Sequence, residues 1–207
     1  MTRTAVVLLL RIGVWLAFPI FLALSAHVHA QAKDRRPTLT VIVDDRSTDG
    51  AADIGIAKTR AGYLFDDAGI RIAWLIARAA TLGTNDGPDV IRVVVLDGVA
   101  DTDAAGSPVL GFAVPSANRV YVYYDRVERL ALGKRAQPGW FLGDVIAHEI
   151  THVLLPDIGH TQSGVMAAGL RPDPQHPLAF TRAEARALRA RLGETMLARL
   201  HAGSPVD

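Results

Sequence analysis

The segment from Trp140 to Leu155 constrains this chain more than any other part of its sequence. Its apolar residues recur every three or four positions, which is typical of an α-helix that buries one face against a core. These residues are Phe141, Leu142, Val145, Ile146, Ile150, Val153 and Leu154. Pro156 predicts the end of the helix, because proline has no N–H to donate and clashes with the preceding turn. We therefore expect a well-formed amphipathic helix.

This helix contains the H-E-x-x-H pattern, from His148 to His152. Histidines four residues apart lie on one helix face, so both imidazoles can reach a single metal ion. Glu149 projects about 100° away from His148, which keeps its carboxylate off the metal. From there it can act as general base on a water activated by the metal. The pattern predicts a catalytic metal site with His148 and His152 as ligands and Glu149 as base.

A catalytic zinc site normally has a third protein ligand, and His160 is the best candidate. Pro156 stops the helix, and we expect Gly159 to permit the chain reversal that returns His160 to the metal. The alternatives for this ligand are Asp157 in the same turn, His176 in a later loop and Glu184 on the last helix. A Glu184 ligand would indicate another major class of zinc peptidase.

The stretch from His148 to Met166, HEITHVLLPDIGHTQSGVM, resembles the active-site segment of the metzincin zinc peptidases, most of all the matrixin type. It is also similar to that of small exported bacterial H-E-x-x-H proteins. In matrixins, H-E-x-x-H-x-x-G-x-x-H is followed by a turn that contains methionine. The resemblance implies that His148, His152 and His160 bind Zn²⁺ and that Glu149 is the base. It also implies that Met166 lies beneath the metal.

Two positions depart from the matrixin pattern. The matrixin glycine falls at Leu155, and the third histidine stands at His160 instead of at Ile158. The segment between the helix and the third histidine is two residues longer than in matrixins. It can still return His160 to the metal if Gly159 forms the turn in place of the matrixin glycine.

The resemblance also implies a fold, an α+β class single domain of the zincin or metzincin kind over residues 38–207. Such a domain has a twisted mixed sheet, an active-site helix and a C-terminal helix. The strand Leu110 to Val114 would be the sheet edge, where Gly111, Phe112 and Ala113 pair with an extended peptide substrate. The alternative is an ordinary edge strand without that role.

The remaining chain shows the elements that such a domain needs. Thr181 and Glu184 form a capping-box pattern at the start of a last helix that runs to Leu200. Gly69 predicts the end of an earlier helix. The expected strands are 38–43, 70–76, 90–96, 110–114 and 119–127, with a hairpin turn at 115–118 and the earlier helix at 56–67. The first strand, TLTVIV, is apolar enough to be buried on both faces.

The N-terminus has the pattern of an export signal. Residues 1–30 contain no acidic side chain, and a basic start precedes an apolar run from Ile12 to Ala26. The small-x-small ending Val28-His29-Ala30 predicts cleavage after Ala30, and residues 31–37 form a short tether. We therefore expect an exported protein, periplasmic or secreted. The alternative is an uncleaved anchor, which is the one case in which we expect membrane contact.

Composition excludes several classes of protein. The 207 residues contain 22 basic and 21 acidic side chains, a formal net charge of +1 that does not suit a nucleic-acid binder. Cysteine is absent, which excludes disulfide scaffolds, thiol catalysis and cysteine-ligated zinc. Histidine and carboxylate groups are therefore the plausible metal ligands.

These observations predict an exported zinc metalloendopeptidase that hydrolyses peptide or protein substrates. The alternative is an exported zinc-binding domain without peptidase activity, acting as an envelope or partner-binding module. It is favoured by the shortness of residues 31–37, which cannot cover a cleft as an inhibitory pro-segment. The sequence indicates no particular oligomeric state, substrate or cleavage preference.

Overall fold

The computed structural model describes residues 36–76, 90–98, 109–173 and 175–202, the last seven of these by backbone alone. The signal peptide and cleavage site expected in residues 1–30 lie outside these ranges, as do residues 31–35 of the tether. No helix within the described ranges combines the length and the apolar character needed to cross a membrane.

Five strands form one mixed sheet. They are β1 (Thr38–Asp45), β2 (Arg71–Ile76), β3 (Val90–Leu96), β4 (Gly111–Val114) and β5 (Arg119–Tyr123). Their order across the sheet is β2-β1-β3-β5-β4, and every neighbouring pair is parallel except β4 and β5. The expected α+β domain with a mixed sheet is therefore confirmed, and β4 lies at one edge of that sheet.

The strands follow the apolar runs of the sequence closely. β3 spans the predicted residues, and its five inner residues are buried. The expectation that β1 is buried on both faces is wrong. Leu39 and Val41 face the core, whereas Thr40 and Ile42, which alternate with them, are only half-buried.

Four α-helices complete the fold of the described residues. They are α1 (Ala51–Asp67), α2 (Tyr124–Gly133), α3 (Pro138–Leu154) and α4 (Arg182–Ala202). α3 is the predicted amphipathic helix, and Pro138 occupies its first turn, where a missing N–H costs nothing. α1 begins five residues earlier than the sequence pattern indicates.

Two glycines of α3 let it approach α1 closely. A Cβ atom on Gly143 would lie 2.6 Å from the Cβ of Arg60 and 2.7 Å from the carbonyl oxygen of Ala57. One on Gly139 would lie 2.7 Å from the carboxylate of Asp53. Because any side chain at either position would collide with α1, the spacing of the two helices depends on these glycines.

The strand predicted over 119–127 is wrong beyond Tyr123, where α2 begins. Tyr124, Val127 and Ala131 are buried at helical spacing, and the Tyr124 hydroxyl donates a 2.6 Å hydrogen bond to Asp53. The aromatic and β-branched residues at the start of α2 favour a strand locally, and tertiary packing overrides that preference.

Candidate metal centre

The structure brings three histidines together at the carboxyl-terminal end of α3. The Nε2 atoms of His148 and His152 are 3.2 Å apart, and those of His152 and His160 are 3.1 Å apart. All three ligand atoms lie within 4.8 Å of one another. Tetrahedral zinc with Zn–N bonds of about 2.0–2.1 Å separates two nitrogens by about 3.3 Å. The three imidazoles therefore fit one metal ion of this size.

A backbone contact orients His148. Its Nδ1 donates a 2.7 Å hydrogen bond to the carbonyl oxygen of Val165, which leaves the lone pair on Nε2 to face the centre. Val165 is fully buried, so this contact is shielded from water. Sequence reasoning missed Val165, because the contact is made by its backbone and no side-chain pattern reports it.

Burial favours the neutral form of His148 and His152. Burial lowers the pKa of His148 below its ordinary value. Burial, with the neighbouring imidazoles of His148 and His160, lowers the pKa of His152 to about 4. Neutral imidazole is the form that binds a metal ion, so the pocket favours the ligating state at neutral pH.

The turn that returns His160 differs in detail from the sequence expectation. α3 ends at Leu154, and the N–H of Ile158 donates to the carbonyl of Leu155 over 3.0 Å, which closes a turn through Pro156. The expectation that Gly159 permits the chain reversal before His160 is wrong. Its φ lies outside the left-handed region, and an added Cβ would meet no atom within 4 Å.

A glycine in the left-handed region lies instead in the turn that contains Met166. Gly164 has φ +83°, and a Cβ there would lie 2.8 Å from the carbonyl oxygen of Ala179. The turn is closed by a 2.7 Å hydrogen bond from the N–H of Thr161 to the carbonyl of Met166, whose side chain is fully buried. Since Val165 belongs to this turn, its geometry determines where the carbonyl meets His148.

Glu149 is buried beside the histidines. Burial raises the pKa of its carboxyl group to about 7. A Cβ on Gly111 would approach the Glu149 Cγ to 3.3 Å and the carbonyl oxygen of Tyr121 to 2.7 Å, so the first residue of β4 packs directly on this glutamate. A carboxyl group with a pKa near neutrality is suited to accept and return a proton at physiological pH.

The metal centre opens into a cleft of about 340 Å³, which Gly111, His148, Glu149 and His160 help to line. β4 flanks the cleft, and on its side away from β5 none of the described residues forms a sheet pair with it. The ring of Phe112 stacks on that of Tyr121 with centroids 4.9 Å apart, and its side chain is 39% exposed. Within the described ranges, this edge has backbone groups available to an extended peptide.

The alternative ligands do not join the site. Asp157 is exposed in the turn, and His176 forms an exposed pair with Asp173 at 3.0 Å. Glu184 accepts a 2.7 Å hydrogen bond from the N–H of Thr181 and donates its own N–H to the Thr181 hydroxyl over 3.2 Å, which confirms the capping box. Among the residues described, the three histidines are the one group of three or more potential ligands.

Comparisons with known proteins support the fold. No protein-family model and no curated protein matches the sequence. The structure is similar to that of an archaemetzincin from Methanopyrus kandleri, with a TM-score of 0.50 and 14% identity over 78% of this chain and 99% of that one. It also matches a zinc-dependent peptidase from Methanocorpusculum labreanum, with a TM-score of 0.44 and 14% identity over 74% and 99% of the two chains. At this identity the likeness to the archaemetzincin shows a shared fold.

Proposed function

We propose that this protein is a zinc-dependent peptidase in which His148, His152 and His160 bind the metal and Glu149 is the general base. The observation that carries the proposal is the convergence of the three Nε2 atoms beside a buried carboxyl group in an open cleft. The fold shared with a protein named as an archaemetzincin supports it.

Each group in the cleft has a defined part in peptide hydrolysis. When bound, zinc supplies a Lewis acid that polarises the scissile carbonyl and makes water more acidic. Glu149 takes the proton from the attacking water and passes it to the leaving amine. Gly111, Phe112 and Ala113 hold the substrate backbone in an extended form by adding it to the sheet edge.

The proposal is tested on purified protein with a mixed peptide library, with and without a chelator. We expect close to one zinc per chain and cleavage that the chelator abolishes. Glu149→Gln should keep the metal and lose activity by about 10²-fold or more, because the glutamate is a base and not a ligand. His148→Ala should lose the metal.

Two results would contradict the proposal in different ways. Absence of zinc, with cleavage unchanged in Glu149→Gln, would exclude the mechanism. One zinc per chain with no cleavage of any peptide would favour the alternative, an exported zinc-binding module.

We further propose that the protein is exported, on the basis of the signal-like residues 1–30. Expression of the whole chain in a bacterial host, followed by fractionation and mass spectrometry, tests this. We expect an N-terminus at Gln31 in the exported fraction. A full-length chain retained in the membrane would indicate an uncleaved anchor.

A further inference from the structure

The cleft beside the metal centre combines apolar walls with a single arginine. Leu110, Leu130, Val145 and Leu170 provide apolar walls from four different parts of the chain. Arg171 lines the same cleft, directly after Leu170 in the loop that follows the methionine-containing turn. Of the described residues in this lining, Arg171 is the one lysine or arginine.

Arg171 differs from the arginines that stabilise the fold. Arg60 binds Asp144 and the carbonyl of Leu178, and Arg189 donates to the carbonyl of Ala68. Arg171 is exposed and, within the part of the chain that the structure describes, makes no hydrogen bond or ion pair. Its guanidinium is therefore available to a molecule bound in the cleft.

A carboxylate is the group that best satisfies such a guanidinium. Its two oxygens match two parallel N–H donors of arginine, which adds geometric specificity to the pairing of charges. Glu149 also lines the cleft, so a bound carboxylate avoids like-charge repulsion when it lies beside Arg171 and not beside the ionised form of Glu149. A bound carboxylate is therefore favoured at the position where Arg171 can compensate its charge.

We propose that Arg171 selects peptide substrates that carry a carboxylate a short, fixed distance from the scissile bond, with an apolar side chain in the cleft between them. The carboxylate is an acidic side chain or the free C-terminus of the peptide. The inference rests on the proposed peptidase function and names the substrate class that this function acts on.

The experiment uses randomised ten-residue peptides prepared in two forms, with free and with amidated C-termini. The zinc-loaded wild-type protein and the variants Arg171→Gln, Arg171→Lys and Arg186→Gln are incubated with both sets, and cleavage sites are identified by mass spectrometry. Arg186 is the matched control, because it is an exposed arginine on α4 that does not line the cleft.

We expect the wild type to favour carboxylate-bearing peptides by about tenfold in kcat/KM, the ratio that one additional charged contact provides. Arg171→Gln should lose this preference and still cleave neutral peptides, Arg171→Lys should keep part of it, and Arg186→Gln should keep all of it. Preference confined to free C-termini identifies the terminal carboxylate as the recognised group. Preference that persists in amidated peptides identifies acidic side chains.

Two results would overturn the inference while leaving the peptidase function intact. They are a wild-type profile with no carboxylate preference and a preference that Arg171→Gln retains. If no peptide is cleaved, the proposed function fails, and the inference is tested by binding of the same two peptide sets to the immobilised zinc-loaded wild type and to immobilised zinc-loaded Arg171→Gln. Equal retention of free and amidated, acidic and neutral peptides would then overturn it.

Discussion

Two residues beside the metal centre act through their backbone and not through their side chains. Val165 holds His148 by a backbone carbonyl, and Gly164 makes that carbonyl available by adopting a positive φ. Gly159 is the residue that the sequence pattern singles out, yet its backbone conformation is one that alanine also adopts. The two glycines therefore form a matched pair for mutagenesis.

We predict that Gly164→Ala destabilises the protein by about 2 kcal/mol, because alanine is strained at positive φ and its Cβ collides with the carbonyl of Ala179. Zinc affinity should fall by about 10- to 100-fold as Val165 shifts away from His148. Gly159→Ala should change stability by less than about 1 kcal/mol. Denaturant unfolding and competition with a zinc-binding dye measure both effects, and equal losses in the two variants would contradict this account.

Arg60 and Asp144 form a buried ion pair that joins α1 to α3, with Arg60 Nε 2.6 Å from Asp144 Oδ1. Burial raises the pKa of Asp144 from 3.8 to about 6 in spite of the arginine, which opposes the rise. Removal of Arg60 would leave the carboxylate buried without its partner. We predict that Arg60→Met costs about 3–5 kcal/mol near pH 8.

The loss of stability in Arg60→Met should be smaller at pH 5 than near pH 8. A carboxyl group whose folded pKa exceeds its unfolded pKa contributes stability at low pH, and that contribution is lost as pH rises through the folded pKa. In the wild type, the stability contributed by Asp144 is lost between pH 3.8 and about pH 6. In the variant, which lacks the arginine, this loss extends to higher pH. Unfolding of the chelator-treated proteins at both pH values measures the difference, with Arg186→Met as control. A cost independent of pH would exclude Asp144 as its source.

Helices are predicted best where the sequence signal lies within a few neighbouring residues. The start of α4 depends on Thr181 and Glu184, three residues apart, and both reciprocal hydrogen bonds are present. α2 was predicted as a strand because aromatic and β-branched residues run from β5 into its first turn, and they outweigh the helical spacing of Tyr124, Val127 and Ala131. Gly139 and Gly143 are required because α3 lies close to α1, and this proximity is visible only in the folded structure.

The cap of α4 can be tested by itself. We predict that Thr181→Ala destabilises the domain by about 1 kcal/mol, because the N–H of Glu184 loses its hydroxyl acceptor. Thr181→Ser keeps an acceptor and should be within a few tenths of a kcal/mol of wild type. Urea unfolding distinguishes the two. Equal stability of all three proteins would show that the cap contributes little.

The proposed metal would hold together two parts of the folded protein, a helix and the exposed segment that follows it. His148 and His152 lie on a rigid helix, whereas His160 lies in the exposed segment after it. Binding to three ligands in the folded state alone stabilises that state by mass action. The metal and the fold are therefore expected to depend on each other.

We predict that zinc at about 1,000 times its dissociation constant stabilises the protein by about 4 kcal/mol, or roughly 8–16 °C in Tm for a domain of this size. A chelator should reverse the gain. His160→Ala should show a much smaller shift, because one ligand is lost. Calorimetry of both proteins with and without zinc checks this, and an unchanged wild-type Tm would argue against a bound metal.

Features that depend on the spacing of neighbouring residues can be predicted from the amino-acid sequence. Helical periodicity places His148, Glu149 and His152 in one helix, Pro156 limits that helix, and apolar runs locate the strands. Four other features are visible only in the folded chain. His160 reaches the other histidines without a left-handed Gly159, and Val165 orients His148. Burial raises the pKa of Glu149, and Arg171 lines the cleft. These features depend on contacts between distant segments and on exclusion of water, and neither is encoded in the spacing of neighbouring residues.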